Sequence, residues 1–473
     1  MRPGPGRVSG PAAPPRSRRL GPSPFALAYR ALVLGGLIAR AGGLYLRHAL
    51  AGRLGWQAAR VEAEHWVRFA RRFVAVATRF RGALIKLGQV GSLRVEVLPD
   101  EVTAELASLR DRVAPHAFAE IAAQIERELG APPEQIFAHF DPQPLAAASL
   151  GQVHTATALD GRELAVKVLY PGIERSVAVD VAMAHVAMWL FDFAVVPDLL
   201  QVHREVRRSV YAELDYLQEG RAAEEIAHNL AADPELARHV RVPRIHWDLT
   251  RRRVLCMEFV HGVKIADFEP AAGASPSRDT LVLRASRAFL HMIFRDGFFH
   301  CDPHPGNLIV EPDGRLAIID FGMHERLDPA VLAGVRRNVL ASVTRDADLY
   351  ARSLLEMGAV DPADLSVVRE IAELSFDPAY YNLTPRELVD LDLGRFVGEL
   401  RGHLNRLRTF RLPVGVVMGS RALSVLYGLV VELAPGLRPL DVFGPYALAF
   451  LADARGEGAS AAAGAASERS ESV

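Results

Sequence analysis

The residues best suited to chemistry lie in one stretch, Phe298 to Gly322, reading FFHCDPHPGNLIVEPDGRLAIIDFG. Asp302 and Asn307 precede an apolar run, Leu308–Val310, and Asp320 follows a second, Leu316–Ile319. Between the runs stands Glu311-Pro-Asp-Gly-Arg315, and an Asp-Gly flanked by apolar residues predicts a β-hairpin. Antiparallel pairing would bring the hairpin's two ends together, gathering two carboxylates and an amide oxygen. Hard oxygen ligands of this kind hold Mg²⁺ against phosphates. A rival reading takes His300, Cys301, Asp302 and His304 as zinc-type ligands. Their spacing is crowded and two prolines intervene, which disfavours it.

Other elements must position these groups. Basic residues are nearly all Arg, and only Lys86, Lys167 and Lys264 are lysines. A lysine in such a chain is informative, because a guanidinium fork does not replace a compact ammonium everywhere. Lys167 falls inside the predicted strand Glu163–Leu169, after a turn at Asp160-Gly161. The preceding strand and turn contain Ala146, Ala147, Ala148, Ser149 and Gly151. Alanines approach a phosphate less closely than glycines, so this turn should be stiff. The run Tyr211–Arg221 predicts a helix carrying Glu213, Asp215 and Glu219, with Glu219 the candidate partner of Lys167. Any one of these acids alone could equally belong to a solvated face. Arg253–Gly262 predicts a strand that leaves into a loop. Residues 264–297 predict a helix stopping at Asp296-Gly297. Residues 56–130 predict helices, with Trp66, Phe69, Phe73, Val76 and Phe80 at core spacing.

The chain has 473 residues and a net charge of −1; 50% of its residues are hydrophobic. That suits two to four globular domains. Residues 1–80 hold fourteen Arg and two acids, so they carry 14 − 2 = +12 and the remainder about −13. A basic arm before an acidic body suits an anionic membrane surface, and a solvated arm serves equally well. Residues 1–24 read as a disordered basic arm, with a transit peptide as an alternative. Residues 25–50 are apolar but broken by Arg30, Arg40 and Arg47. They predict either an amphipathic helix lying on a membrane with an Arg face, or a helix packed on its own domain. Leu412–Leu433 reads as a core helix, and no segment reads as a convincing transmembrane span. Two cysteines imply a reducing compartment. The expected location is cytoplasmic, with membrane contact peripheral and on the inner face.

Taken in order, Lys167, Glu219, Asp302, Asn307 and Asp320-Phe-Gly322 resemble the protein-kinase-like superfamily. Lys86-Leu-Gly-Gln89, Ala146-Ala-Ala-Ser149, Gly151-Gln-Val-His154, Glu213-Leu-Asp215 and His300-Cys-Asp-Pro-His-Pro-Gly-Asn307 are similar to motifs of the ABC1/UbiB/ADCK (AarF) family of atypical kinases. The resemblance spans roughly residues 80–330. It implies an α+β, two-lobed protein-kinase-like fold with an added N-terminal helical Lys-x-Gly-Gln segment and a helix-rich C-terminal lobe. The corresponding division is a 1–24 arm, a 25–140 helical extension, a 141–262 N-lobe with a helical insertion, a 263–453 C-lobe and a 454–473 disordered tail.

The resemblance also implies ATP or ADP with Mg²⁺ bound between lobes. Lys167 would orient the α/β-phosphates and pair with Glu219. Ala146–Ser149 and Gly151 would replace the glycine-rich phosphate cover. Glu258 and Val260 would meet adenine through backbone groups. Asn307 and Asp320 would hold the metal, and Asp302 would orient the attacking group or accept its proton. Lys86 and Gln89 would form a latch facing Glu213 and Asp215. Cys301 stands where many protein kinases have Arg, and no Ala-Pro-Glu follows Gly322, so phospho-activation is not expected.

The expected function is an atypical kinase or ATPase supporting ubiquinone or other isoprenoid lipid metabolism. Its expected partners are a nucleotide, an anionic membrane surface, and isoprenoid lipid or quinone-pathway proteins, with no nucleic acid. The alternatives are a nucleotide-binding regulator or chaperone-like pseudokinase, and a small-molecule phosphotransferase of the aminoglycoside or choline kinase type.

Overall fold

The computed structural model describes residues 21–53, 59–85, 100–107, 115–192, 199–270, 276–389, 394–404 and 406–452. In chain order, helices α1 (Pro24–Arg53), α2 (Ala59–Phe80), α3 (Asp100–Ala107) and α4 (Phe118–Leu129) come first. Strands β1 (Phe137–Phe140), β2 (Ala146–Ala147), β3 (Gly151–Ala158) and β4 (Glu163–Leu169) follow. Then come α5 (Ile173–Asp192), α6 (Leu199–Ala212), α7 (Tyr216–Ala232), β5 (Val240–Arg241), β6 (Val254–Glu258) and β7 (Val263–Lys264). After α8 (Arg278–His291) stand β8 (Phe298–His300), β9 (Leu308–Val310), β10 (Leu316–Ile318) and β11 (His324–Arg326). The remainder is helical: α9 (Pro329–Thr344), α10 (Ala347–Glu356), α11 (Leu365–Ser375), α12 (Gly394–Leu404) and α13 (Val414–Leu433). A last apolar helix, α14, covers Pro439–Ala452.

Two compact units divide the chain. The first comprises Met1–Ile136, Phe140–His154 and Val168–Val206; the second comprises Phe137–His139, Thr155–Lys167 and Arg207–Val473. The division passes inside the 141–262 segment, which the sequence reading assigned to one lobe.

In the first unit, α1, α2 and α3 close over a core that includes Leu34, Ala70, Val74, Ala77 and Ile85. Small residues fill its centre, while Trp66, Phe73, Val76 and Phe80 pack around it half-buried. The aromatic spacing thus marks the rim of the core. Arg30 does not join an exposed Arg face; it is 6% exposed, whereas Arg40 and Arg47 are exposed. Its guanidinium forks onto Asp180 of α5, Nε to Oδ1 at 2.5 Å and Nη2 to Oδ2 at 2.6 Å. The same group donates to the carbonyls of Phe80 at 2.8 Å and Arg81 at 2.7 Å, satisfying the end of α2. There the backbone turns through left-handed Arg81 and Gly82. Burial pushes the Asp180 carboxyl up to about 6, against the pull of Arg30 and of the Ala83 and Leu84 N–H groups. One cation therefore fixes α1, α5 and the chain leading to Ile85. Lys86 and Gln89 lie outside the described residues.

In the second unit the expected hairpin forms. β9 and β10 pair antiparallel, Leu316 opposite Val310 and Ile318 opposite Leu308. Gly314 has φ +82°, in the left-handed region that this turn requires. β5 and β7 complete a four-stranded sheet in the order β5-β10-β9-β7. Residues 263–264 are thus a strand, not the start of the expected helix. Gly262 permits this, since a Cβ there would lie 2.3 Å from the Val310 carbonyl oxygen. The predicted stop holds further on, where Gly297 turns left-handed with φ +65°.

α13 is less of a core helix than its composition suggests. Gly419, Ala422, Leu426 and Leu429 form one buried stripe, while Val417, Tyr427 and Val431 are exposed. By length and composition alone, Pro24–Arg47 and Val414–Leu433 are both apolar enough to cross a membrane, with mean hydropathy 1.3 and 1.8.

Removing one partner of a buried ion pair strands the other charge. Asp180→Ala should therefore destabilise the chain by about 3 kcal/mol, read by urea unfolding. The double replacement Arg30→Met with Asp180→Leu should recover most of that loss. A single variant as stable as the parent would remove Arg30 from its structural role.

Candidate functional site

The site is built around one ammonium. Lys167 lies on β4 with its side chain 12% exposed. Its Nζ stands 2.5 Å from Glu219 Oε1 and 3.5 Å from Asp320 Oδ2. Burial pulls the Lys167 pKa down, but Asp320 and Glu219 together outweigh it and hold the ammonium charged. Burial pushes the Glu219 carboxyl up, the Lys167 charge opposes this, and the nearby Asp320 charge adds to it. Glu219 therefore needs the cation to stay ionised beside Asp320.

Glu219 reaches this place because the predicted continuous helix is broken. α6 ends at Ala212, Glu213 to Asp215 form a turn, and α7 starts at Tyr216. The break has a local cause, since Asp215 Oδ1 accepts from Leu217 N at 3.1 Å as a helix N-cap. Asp215 also stands 3.6 Å from Arg252. Glu219 then falls in the first turn of α7, buried, instead of two turns along a helix from Glu213. Glu213 sits near the Asp320-Phe-Gly322 loop, where a Cβ at Gly322 would lie 3.6 Å from Glu213 Cγ.

The hairpin delivers the metal candidates by register. Ile319 N donates to the Asn307 carbonyl at 3.1 Å, so Asn307 and Asp320 flank the same rung. Asn307 Nδ2 donates to the Asp302 carbonyl at 3.2 Å, which assigns its oxygen as the acceptor end of the amide. Asp320 is 44% exposed, and its Oδ1 accepts from Gly322 N at 3.0 Å. One amide oxygen and one carboxylate fit Mg²⁺, which takes few protein ligands and completes its shell with phosphate oxygens and water.

The zinc-type quartet does not converge. His300 is buried and its Nδ1 bonds the Met323 carbonyl at 2.9 Å, while the Cys301 thiol faces the Phe299 carbonyl. His304 instead accepts from Gly306 N at 3.1 Å, capping the short turn that carries Asn307. Among the described residues no three His, Cys, Asp or Glu side chains group as a metal cage.

One residue near Asp302 escaped sequence reasoning. Arg421 of α13 places Nη2 3.9 Å from Asp302 Oδ1, and its buried Nε has no hydrogen-bond partner. The available signal was a lone arginine in the middle of a mostly apolar helix.

Glu258 ends β6 with its carboxylate held by Arg241 at 3.0 Å, and Arg241 grips Glu311 of the hairpin turn through two bonds of 2.7 Å. Burial raises the Glu258 pKa, but the Arg244 N–H and Arg241 outweigh it and hold the carboxyl low. Phe259 N is taken by the Glu163 carbonyl at 3.0 Å, and half-buried Val260 follows. This clasp ties the loop at residues 258–260 to the β9–β10 hairpin.

Ala146, Ala147, Ala148, Ser149 and Gly151 lie in the first unit. Ala146 pairs with Val153 and Ala147 with Gln152, and Ala148 N donates to the Gly151 carbonyl at 2.8 Å. The alanine turn is therefore a closed hairpin tip. Beneath it runs a buried polar chain. Gln152 Oε1 accepts from His116 N at 2.9 Å, so its amide nitrogen faces His154 Nε2 at 2.8 Å. That nitrogen must accept, so Nδ1 carries the proton and donates to the Asp141 carbonyl at 2.8 Å. Ser149 accepts from Gly82 N at 3.2 Å, joining this hairpin to the stretch that leads to Lys86.

A lysine paired to a buried glutamate, beside a hairpin bearing Asp302, Asn307 and Asp320, defines a protein-kinase-like chain of mixed helix and sheet. The family model of the ABC1 atypical kinase-like domain matches residues 108–354, and the chain belongs to that family. It is 32% identical over 394 residues to a probable protein kinase UbiB of Marinobacter nauticus, covering 79% of this chain and 69% of that one. It is also 32% identical to the chloroplastic protein ACTIVITY OF BC1 COMPLEX KINASE 7 of Arabidopsis thaliana, covering 77% of this chain and 52% of that one. The chain spans about half to two thirds of the length of several such relatives. The solved complex of Rv3197 with erythromycin from Mycobacterium tuberculosis shares the fold, with a TM-score of 0.52 at 22% identity over 82% of this chain and 95% of that one.

The tautomer of His154 has a pH consequence. Burial lowers its pKa from 6.5, with the Asp141 carbonyl opposing, and protonating Nε2 would set an N–H against the Gln152 amide. The unfolded chain then binds the proton better. The stability this histidine contributes is full above about pH 6.5 and falls below it, with a limiting slope of about 1.4 kcal/mol per pH unit. Urea unfolding between pH 7.5 and 5.5 reads this slope, and His154→Gln should remove its share. An unchanged slope in that variant would contradict the assignment.

Proposed function

We propose that the chain binds Mg·ATP and hydrolyses it or transfers its γ-phosphoryl group. The observation that carries this is Lys167 held between Glu219 at 2.5 Å and Asp320 at 3.5 Å, on the hairpin that also bears Asn307 and Asp302. In this reading Lys167 orients the α/β-phosphates, and Glu219 keeps the ammonium in place. Asn307 and Asp320 supply oxygens to Mg²⁺, which would neutralise charge on the phosphates. Asp302 orients the attacking hydroxyl or water, and the backbone at Glu258 and Val260 meets adenine. Phosphoryl transfer depends mostly on positioning and charge neutralisation, so this small set suffices.

The relatives named UbiB favour a role in ubiquinone or other isoprenoid lipid metabolism, and the +12 charge of residues 1–80 suits an anionic membrane surface as the place of work. A second reading, a nucleotide-binding switch without useful transfer, draws support from Arg421. Its guanidinium, 3.9 Å from Asp302 Oδ1, competes with an attacking hydroxyl or water for that carboxylate.

Purified chain assayed with Mg·ATP separates the two. Turnover by the parent, reduced at least about 100-fold by Asp320→Asn, is expected for the first reading. Tight nucleotide binding without turnover would replace it with the second. An Asp320→Asn variant as active as the parent would sink the metal assignment.

A further inference from the structure

The second unit holds a cavity of about 480 Å³ that the nucleotide chemistry does not use. Its walls come from α9, α10, α11 and α13 and from the turn before β8 that carries Ile293 and Phe294. The volume is that of a small-molecule site. A void of this size lined by leucine, valine and phenylalanine would cost the fold several contacts if it served no ligand. Among the described residues that line it, none is charged. The few polar groups are asparagine, serine and tyrosine, including Asn338, Ser342, Tyr350 and Tyr381.

The two tyrosines present different groups. Tyr381 donates its hydroxyl proton to the Ser342 carbonyl at 2.9 Å. Tyr350 hydrogen-bonds the Asn338 side chain, whose Nδ2 in turn donates to Ser353 Oγ at 2.9 Å. Asn338 Nδ2 carries a second N–H, and that one is donated to the Tyr350 oxygen, the direction that favours the phenolate. Tyr381 therefore presents a lone pair and Tyr350 retains its proton, so a matching head group both donates and accepts a hydrogen bond, as a hydroxyl does. An ammonium or a carboxylate would enter this wall with no counter-charge, at a large desolvation cost.

We infer that this cavity binds an uncharged amphiphile, a largely hydrocarbon molecule ending in a hydroxyl group. The class follows from the apolar wall, the lack of charge among the described lining residues, the donor at Tyr350 and the acceptor at Tyr381. The site is separate from the nucleotide residues, and the inference does not depend on ATP turnover. It shares α13 with them, since Gly415, Val416, Gly419 and Ser420 line the cavity while Arg421 reaches Asp302.

Equilibrium dialysis of the full chain with 1-decanol, decanoate and decylammonium at pH 8 tests the class, each below its micelle concentration. Decanol should bind saturably at one equivalent per chain, and both charged analogues at least about tenfold more weakly. Val335→Phe and Val416→Phe each fill the cavity from a different wall and should remove decanol binding, with circular dichroism confirming that they fold. Lack of saturable decanol binding by the parent overturns the proposal. So does equal binding of either charged analogue, or undiminished decanol binding in a filled variant that folds. If neither variant folds, the comparison of head groups on the parent chain decides.

Discussion

The Lys167 ammonium is the constraint on which the site depends. It lies almost buried between two carboxylates, one buried and one half-exposed. Without the cation, Glu219 would be a buried charge with no counter-ion, and Asp320 would face a like charge close by. With it, three elements distant in sequence (β4, the first turn of α7 and the end of the hairpin) share one electrostatic minimum. Charges held in place before a ligand arrives leave little reorganisation for a later chemical step.

Within each unit the fold uses arginine as structural fixing. Arg30 ties α1 to α5 and caps the end of α2, and Arg241 ties the strand before residues 258–260 to the hairpin turn through Glu311 and Glu258. Both use the planar fork of the guanidinium to meet two acceptors at once, which an ammonium cannot do. The single lysine in the site has the opposite task, a compact charge placed between two carboxylates. The near absence of lysine elsewhere makes that division of labour visible. Gln152 and His154 show a third device, a neutral polar chain in which each donor fixes the next tautomer beneath the alanine hairpin. These residues belong to a motif that invites a catalytic reading, yet their partners are backbone and each other.

Local signals were legible where the chemistry is local. The Asp-Gly turn, the apolar runs beside it and the lysine inside a β-branched strand each predicted an element that formed. The order Lys167, Glu219, Asp302, Asn307, Asp320 pointed to the family. The run from Tyr211 to Arg221 misled because its acids suggested one continuous helix, whereas Asp215 acts as a cap and starts a new one. The aromatic spacing of α2 misled in a milder way, since alanines and Val74 fill the centre of that core.

The sequence by itself determined the residue types, the hairpin and the family, because turn chemistry and strand alternation act over a few residues. Only the tertiary structure decided which charges meet. Nothing in the chain order says that Arg30 seeks Asp180, that Arg421 comes within 3.9 Å of Asp302, or that α13 shows only one buried stripe. Those outcomes depend on the burial of charge and on close helix approach, which arise only when distant segments pack. The uncharged cavity is of the same kind. Its wall is assembled from helices that in sequence look like ordinary core, and its lack of charge is a property of the assembled surface alone.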